Sequence, residues 1–305
     1  MPGADIRIGT RGSALARCQA TRVQQQLAAQ APDRQFPLKI IAAAADQRPE
    51  TPLADMGGQG VFVKELETAL LRREIDVAVH SLKDLPLATP AGLRLAAILQ
   101  RDDPSDALVS RSHQGLAQLP LSTHVGTSSL RRRSQLLRRR RDLRVSEIRG
   151  NVDTRLRKLD EGQYDAILVA SCGLIRLGLA ERITERLPMD VMLPEPGQGA
   201  LAIEVRADDA AAIEVVRALD HRETRACVEA ERALLEGLGG GCYVPIAAFA
   251  ELRGRELQLE AAVTAVDGSR EVRGRMQGRA EDPSGLGLRL AEQLIHEGAK
   301  TILRL

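Results

Sequence analysis

The octapeptide VHSLKDLP, residues 79–86, sets Ser81, Lys83 and Asp84 directly behind an apolar run that reads as a buried strand. Ligands gather at the carboxyl ends of strands in open α/β sheets, so these side chains are candidates for a site. A carboxylate beside a lysine stays ionised and can stabilise a developing cation or exchange a proton with a substrate, which makes Asp84 the candidate catalytic residue. Taken alone, the same residues also describe a surface ion pair at a turn. A second candidate is Cys242, which follows Gly239, Gly240 and Gly241 in LLEGLGGGCYVPIAAF. Bare backbone removes steric cover from the sulfur, so a bulky group could approach it or be attached to it. A helix-capping glycine before a buried thiol is the alternative. Cys18, Cys172 and Cys227 fall within apolar helical or strand-end patterns and read as packing thiols.

Three strand-to-helix turns carry arginine and hydroxyl together: Arg11 and Ser13 in IRIGTRGSALA, Ser129, Arg131 and Arg132 in GTSSLRRRSQL, and Arg149 and Arg155 in IRGNVDTRLRKL. Free N–H groups at a helix start, small hydroxyls and guanidinium forks suit carboxylate or phosphate. Arginine in a first helical turn opposes the helix dipole, so Arg131 and Arg132 call for a compensating anion. Arg138 to Arg141, at the far end of that helix, read instead as a solvated face with a favourable dipole interaction. Eleven arginines and one lysine fall between residues 131 and 158, although the formal net charge is only +2.

These turns need a scaffold, and the chain supplies one. Its 305 residues, 44% hydrophobic and 28% charged, are enough for two or three domains with ample cores. Apolar strand-like runs alternate with helical patterns through residue 170, which predicts α/β layering with a largely parallel sheet, repeated twice. A break near RDDPSD, at 101–106, and another at LPEPGQGALAIEVR divide the chain. After the helical HRETRACVEAERALLEGL, the strand-like YVPIAAFAEL, ELQLEAAVTAV and REVRGRMQG and a closing helix from LGLRLAEQLIHEGAKTIL predict a smaller α+β domain, with Cys242 at its first helix-to-strand turn. The N-terminus lacks the pattern of a signal peptide, and no segment reads as membrane-spanning, so a cytoplasmic address is expected. The cysteines form no CxxC pair, so neither disulfides nor a metal site is expected.

In order and spacing, IRIGTRGSALA, VHSLKDLP, GTSSLRRRSQL, RGNVDTRLRKL, DAILVASCGLIRLGL, PGQGALAIEVR and GGGCYVPI resemble the porphobilinogen deaminase (hydroxymethylbilane synthase) family of tetrapyrrole and heme biosynthesis over nearly the whole chain. The resemblance implies two similar periplasmic-binding-protein-like α/β domains around a cleft and a smaller α+β C-terminal domain with an antiparallel sheet. It places the first domain at 1–100 and about 197–218, the second at 101–196 and the third at 219–305. It implies a transferase that joins four porphobilinogen molecules head to tail with loss of ammonia, on a dipyrromethane cofactor held by a thioether to Cys242, and then releases hydroxymethylbilane by hydrolysis. Arg11, Ser13, Lys83, Ser129, Arg131, Arg132, Arg149, Arg155 and Arg176 would bind cofactor and substrate side chains. Asp84 would face the pyrrole nitrogens and stabilise an azafulvene cation. The implied partner is porphobilinogen, with no nucleic acid, no membrane and a monomeric chain.

This chain departs from the family pattern in the first domain. Asp55 and Gln59 stand where lysines are frequent, alanines fill IIAAAADQ where a basic residue and a glycine are common, and Gly12 replaces a polar residue. A lid around 42–60 would then hold the substrate chain less by charge. Two other readings compete. A solute-binding receptor also has two α/β lobes around an anion site, but carries no covalent group. A nucleic-acid binder would use RRRSQLLRRRR, yet with no Trp, two Tyr and three Phe the chain has few stacking platforms.

Overall fold

The computed structural model describes residues 5–42, 63–240 and 244–303. It divides into two compact units, Met1–Asp102 with Ala200–Arg225, and Asp103–Gly199 with Ala226–Leu305.

The first unit is built on a five-stranded sheet. Strands β1 (Ile8–Thr10), β2 (Leu38–Ile40), β3 (Val77–Ser81), β4 (Leu93–Ile98) and β10 (Leu201–Arg206) lie in the order β2-β1-β3-β10-β4. Strand β1 is parallel to β2 and β3, whereas β10 runs antiparallel to both of its neighbours. Helix α1 (Ala14–Gln30) starts where the Ser13 hydroxyl accepts the Ala16 N–H at 3.3 Å, and it buries Ala20, Val23 and Leu27 at helical spacing. Those three side chains join Ile8, Val77, Val79 and Ile203 in the unit's main core. Helix α2 (Lys64–Leu71) buries Leu66, Ala69 and Leu70 against Ile75 and Leu93.

The second unit repeats the winding. Strands β5 (Asp106–Ser110), β6 (His124–Gly126), β7 (Arg144–Ser146), β8 (Ala166–Ala170) and β9 (Glu185–Leu187) take the order β7-β6-β8-β5-β9. Again the first three strands are parallel and the fourth, β5, runs against both neighbours. The reversed strand is the first of its sheet here and the last of its sheet in the first unit. Four of five strands therefore share a direction in each sheet, as the alternating pattern predicts. Helices α3 (Leu130–Arg139), α4 (Val152–Asp160) and α5 (Ser171–Arg176) follow β6, β7 and β8.

After α6 (Ala210–Arg217) comes α7 (Arg222–Gly237). An antiparallel sheet of β11 (Ile246–Arg253), β12 (Glu256–Thr264) and β13 (Glu271–Arg279) follows, paired in sequence order. Helix α8 (Pro283–His296) lays Leu286, Leu290, Ala291 and Leu294 onto the inner face of this sheet, with Leu234 and Leu238 from the end of α7 and its cap completing the core. The closing helix expected from sequence is two helices: Gly298, at φ +103°, turns the chain between α8 and α9 (Ala299–Leu303). Among the described residues no helix is long and apolar enough to cross a membrane.

Candidate functional site

In the first unit, adjacent parallel strands deliver both candidate segments to one end of the sheet. Strand β1 runs out into Arg11, Gly12 and Ser13, and β3 into Lys83 and Asp84. The residues after β3 form a single 3-10 turn, Leu82–Asp84, with Leu82 fully buried and Leu85 nearly so. Those two leucines hold the turn to the core while Lys83 and Asp84 remain half-buried. Ser81 is oriented by Gln19 of α1, whose Nε2 donates to Ser81 Oγ at 3.0 Å. Beneath it, His80 Nε2 lies 3.1 Å from Glu204 Oε2 in a buried pair. Burial, reinforced by Glu204, pushes the Glu67 carboxyl above its ordinary range. The Ser13 hydroxyl serves as the cap of α1, so its part in any ligand contact is shared with the helix end.

In the second unit, the carboxyl ends of β7, β6 and β8 carry the arginine-bearing turns. Ser129 caps α3, its Oγ accepting the Arg132 N–H at 3.3 Å. Arg131 and Arg132 are 2% and 5% exposed, and their compensating anion is internal: Asp106, at the head of β5. Asp106 Oδ2 accepts from Arg131 Nη1 at 2.6 Å, and Oδ1 accepts from Arg132 Nε at 2.8 Å and from Gln198 Nε2 at 3.0 Å. Burial alone would raise the Asp106 carboxyl, but Arg131 and Arg132 together hold it well below the usual carboxylate range. The Arg131 guanidinium also donates to the Leu193 carbonyl at 2.7 Å.

Sequence reasoning reached the need for an anion at this helix start but not its identity. Asp106 and Gln198 were both missed as site residues. A charged residue opening an otherwise apolar strand, DALVS, was the available signal for the first. Gln198 is fully buried and also donates to the Pro104 carbonyl at 2.8 Å, which fixes it against the start of β5.

Arg149 and Arg155 flank the same cluster. Arg149 pairs with Glu147, and the Arg155 Nε donates to the Gly150 carbonyl at 2.8 Å. Among the described residues no carboxylate pairs with Arg155. Burial first, then repulsion from Arg132 and Arg149, holds its guanidinium down to about 10. A cation crowded by cations in a sheltered position would be stabilised by a neighbouring carboxylate, whose charge opposes that repulsion. Arg176, closing α5, donates to the Gly199 carbonyl at 2.7 Å.

Cys242 lies outside the described residues, as do Asp55, Gln59 and most of the segment 42–60. The rim of its loop is described: Gly239 takes φ +67°, and a Cβ on Gly240 would come within 2.7 Å of Ile246 and Leu235. Glu231, fully buried in α7, accepts from Gly197 N at 2.7 Å and from Ala250 N at 2.8 Å, and so ties the PGQG turn to β11. Of the other cysteines, Cys172 and Cys227 are buried as expected, whereas Cys18 is partly exposed.

Arg138, Arg139 and Arg141 are exposed, as a solvated face requires, and Arg138 to Arg140 also find partners within the unit. Arg138 lies 3.3 Å from Glu271, Arg139 donates to the Asp190 carbonyl, and Arg140 binds Asp142 and the Leu116 and Leu119 carbonyls.

Two like-wound mixed sheets, each with basic and hydroxyl side chains at its parallel strand ends, define an α/β protein with a further antiparallel C-terminal sheet. The family model "Porphobilinogen deaminase, dipyromethane cofactor binding domain" matches residues 6–214, and "Porphobilinogen deaminase, C-terminal domain" matches residues 225–296. The porphobilinogen deaminase of Desulforudis audaxviator (strain MP104C) is 50% identical over 299 residues, spanning 98% of this chain and 97% of the relative. The chain belongs to the porphobilinogen deaminase family. Solved structures with a similar course include the methionine-binding protein MetQ, at a TM-score of 0.46 and 14% identity, covering 70% of this chain and 89% of that one. Another is the substrate-binding domain of a molybdenum ABC transporter from Clostridium difficile, at 0.44 and 9%, covering 71% and 92%.

Proposed function

We propose that this chain is a hydroxymethylbilane synthase, a cytoplasmic transferase that joins four porphobilinogen molecules head to tail with release of ammonia and then frees the linear product by hydrolysis. The dipyrromethane cofactor, when bound, supplies the primer to which the first substrate is joined. Cys242 holds it by a thioether. On this reading domain one is 1–100 with about 197–218, domain two is 101–196, and domain three, 219–305, presents the attachment loop.

The observation that carries the proposal is the crowding of Arg155 by Arg132 and Arg149 without a carboxylate partner of its own among the described residues. Pyrrole units bearing acetate and propionate arms would answer that charge. Arg149, Arg155 and Arg176 bind those arms, and Arg11, Ser13, Lys83 and Ser129 add contacts from the other strand-end turns. Arg131 and Arg132 share the buried Asp106 between them, so the pair presents one net positive charge rather than two. Asp84 stabilises the positive charge that develops on a pyrrole as ammonia leaves, and accepts the proton lost from the α-carbon at which the new carbon–carbon bond has formed, a loss that restores that ring's aromaticity. The buried Leu82 and Leu85 anchor the backbone of the turn that carries Asp84, which helps to preorganise the electrostatic stabilisation of a short-lived cation.

The intact mass of purified, active protein tests the proposal. It should exceed the sequence mass by one dipyrromethane, the excess should map to the peptide that contains Cys242, and Cys242→Ala should lose it. An unmodified mass on active protein would overturn the tether.

A further inference from the structure

Glu147 and Arg149 sit two residues apart on the turn between β7 and α4, and their side chains form an ion pair. The turn beneath them is unusually well fixed. Four successive carbonyls each accept a side-chain donor: Glu147 from the Tyr164 hydroxyl at 2.6 Å, Ile148 from the Ser128 hydroxyl, Arg149 from Lys158 Nζ at 3.3 Å, and Gly150 from Arg155 Nε at 2.8 Å. Gly150, at φ +104°, allows the chain to fold tightly onto α4, where a Cβ would lie 2.5 Å from Thr154. The backbone therefore cannot follow a side chain that moves.

The side chains differ in freedom. Arg149 is 22% exposed and Glu147 is 54% exposed. A glutamate in that position can swing into water without disturbing the turn, whereas the less exposed guanidinium has less room to follow it. We propose that Glu147 is a built-in, displaceable counter-anion, which neutralises Arg149 in the empty site and competes for it with the carboxylates of the incoming pyrrole. The inference rests on the proposed function for the identity of that ligand. It makes Glu147 a determinant of apparent affinity: it covers one cation of a cluster whose members repel one another, and each binding event must first displace it.

The competition is modest, because a half-exposed ion pair contributes little. Removing the charge should change affinity by about two- to fivefold. Glu147→Gln keeps the shape and all four backbone contacts. Labelling of the Arg149 peptide by phenylglyoxal, followed by mass spectrometry with succinate as the protecting dicarboxylate, reads the competition without turnover. In the variant, half-protection should need about two- to fivefold less succinate, and KM for porphobilinogen should fall by a similar factor, with the change in KM rather than kcat. An unchanged protection constant, or an unchanged or raised KM, would overturn the proposal. If the protein turns over no porphobilinogen at all, the proposed function fails, while the succinate titration still decides the role of Glu147.

Discussion

Asp106→Asn is the most informative single substitution, because it removes a charge without removing volume. Asp106 has no exposure to water, and its two oxygens accept from Arg131, Arg132 and Gln198 at 2.6 to 3.2 Å. In the variant two guanidiniums remain, at 2% and 5% exposure, without a counter-charge. An amide also turns N–H bonds toward at least one donor that previously met an oxygen. Breaking a buried ion pair from one side typically costs about 3–5 kcal/mol. With a urea dependence of about 3 kcal/mol per molar for a unit of this size, the midpoint of the second unit's transition should fall by about 1 M or more. Adding Arg131→Met to the variant should recover part of the loss, since one orphaned cation is then gone. Urea unfolding followed by circular dichroism reads all three proteins. A midpoint shift below about 0.3 M for Asp106→Asn would refute the claim that Asp106 holds the arginine pair, and a double variant less stable than the single would refute the electrostatic cause.

Asp84→Asn should leave the urea midpoint nearly unchanged and lower turnover by two or more orders of magnitude, about the scale expected when an electrostatic stabiliser of a transition state is removed. Near-normal turnover in a steady-state assay would exclude the role. Acid should weaken both units through depressed carboxyls. Burial raises Asp76, but Arg7 and Arg206 outweigh it and hold the group at about 2, below its ordinary 3.8. A carboxyl with a lower folded than unfolded pKa stabilises fully above its unfolded value, and that contribution is lost as pH falls toward the folded one. Stability measured between pH 6 and pH 2 should therefore drop below about pH 4, and less steeply in Asp76→Asn. An identical slope in the variant would rule out this source.

Local signals carried much of the architecture. Helix α1 occupies the stretch its apolar spacing marks out, because Ser13 caps it and Val23 and Leu27 fall on one face. The alternation of β-type and helical runs through residue 170 likewise matches β5 to β8 and α3 to α4. These elements are legible because caps and periodicity act within a few residues. The split between α8 and α9 was missed because a glycine inside a helical pattern is tolerated as often as it terminates one, and only its φ decides. The exposed end of α3 was legible as a solvated face, with Arg138, Arg139 and Arg141 all exposed, but the partners Glu271 and Asp190 were not, because they lie far along the chain and only the fold brings them near.

The sequence alone determined that arginines and hydroxyls stand at strand-to-helix turns and that the motifs belong together in one family pattern. It also determined that Arg131 and Arg132, placed against a helix dipole, require an anion. Only the tertiary structure decided that this anion is Asp106, with Gln198 beside it, and that Arg155 keeps company with Arg132 and Arg149, with no acid paired to it among the described residues. The physical reason is that charge compensation is set by distance through space. Asp106 lies 92 residues from Gln198 along the chain, and the antiparallel β5 is what brings it beneath the arginines.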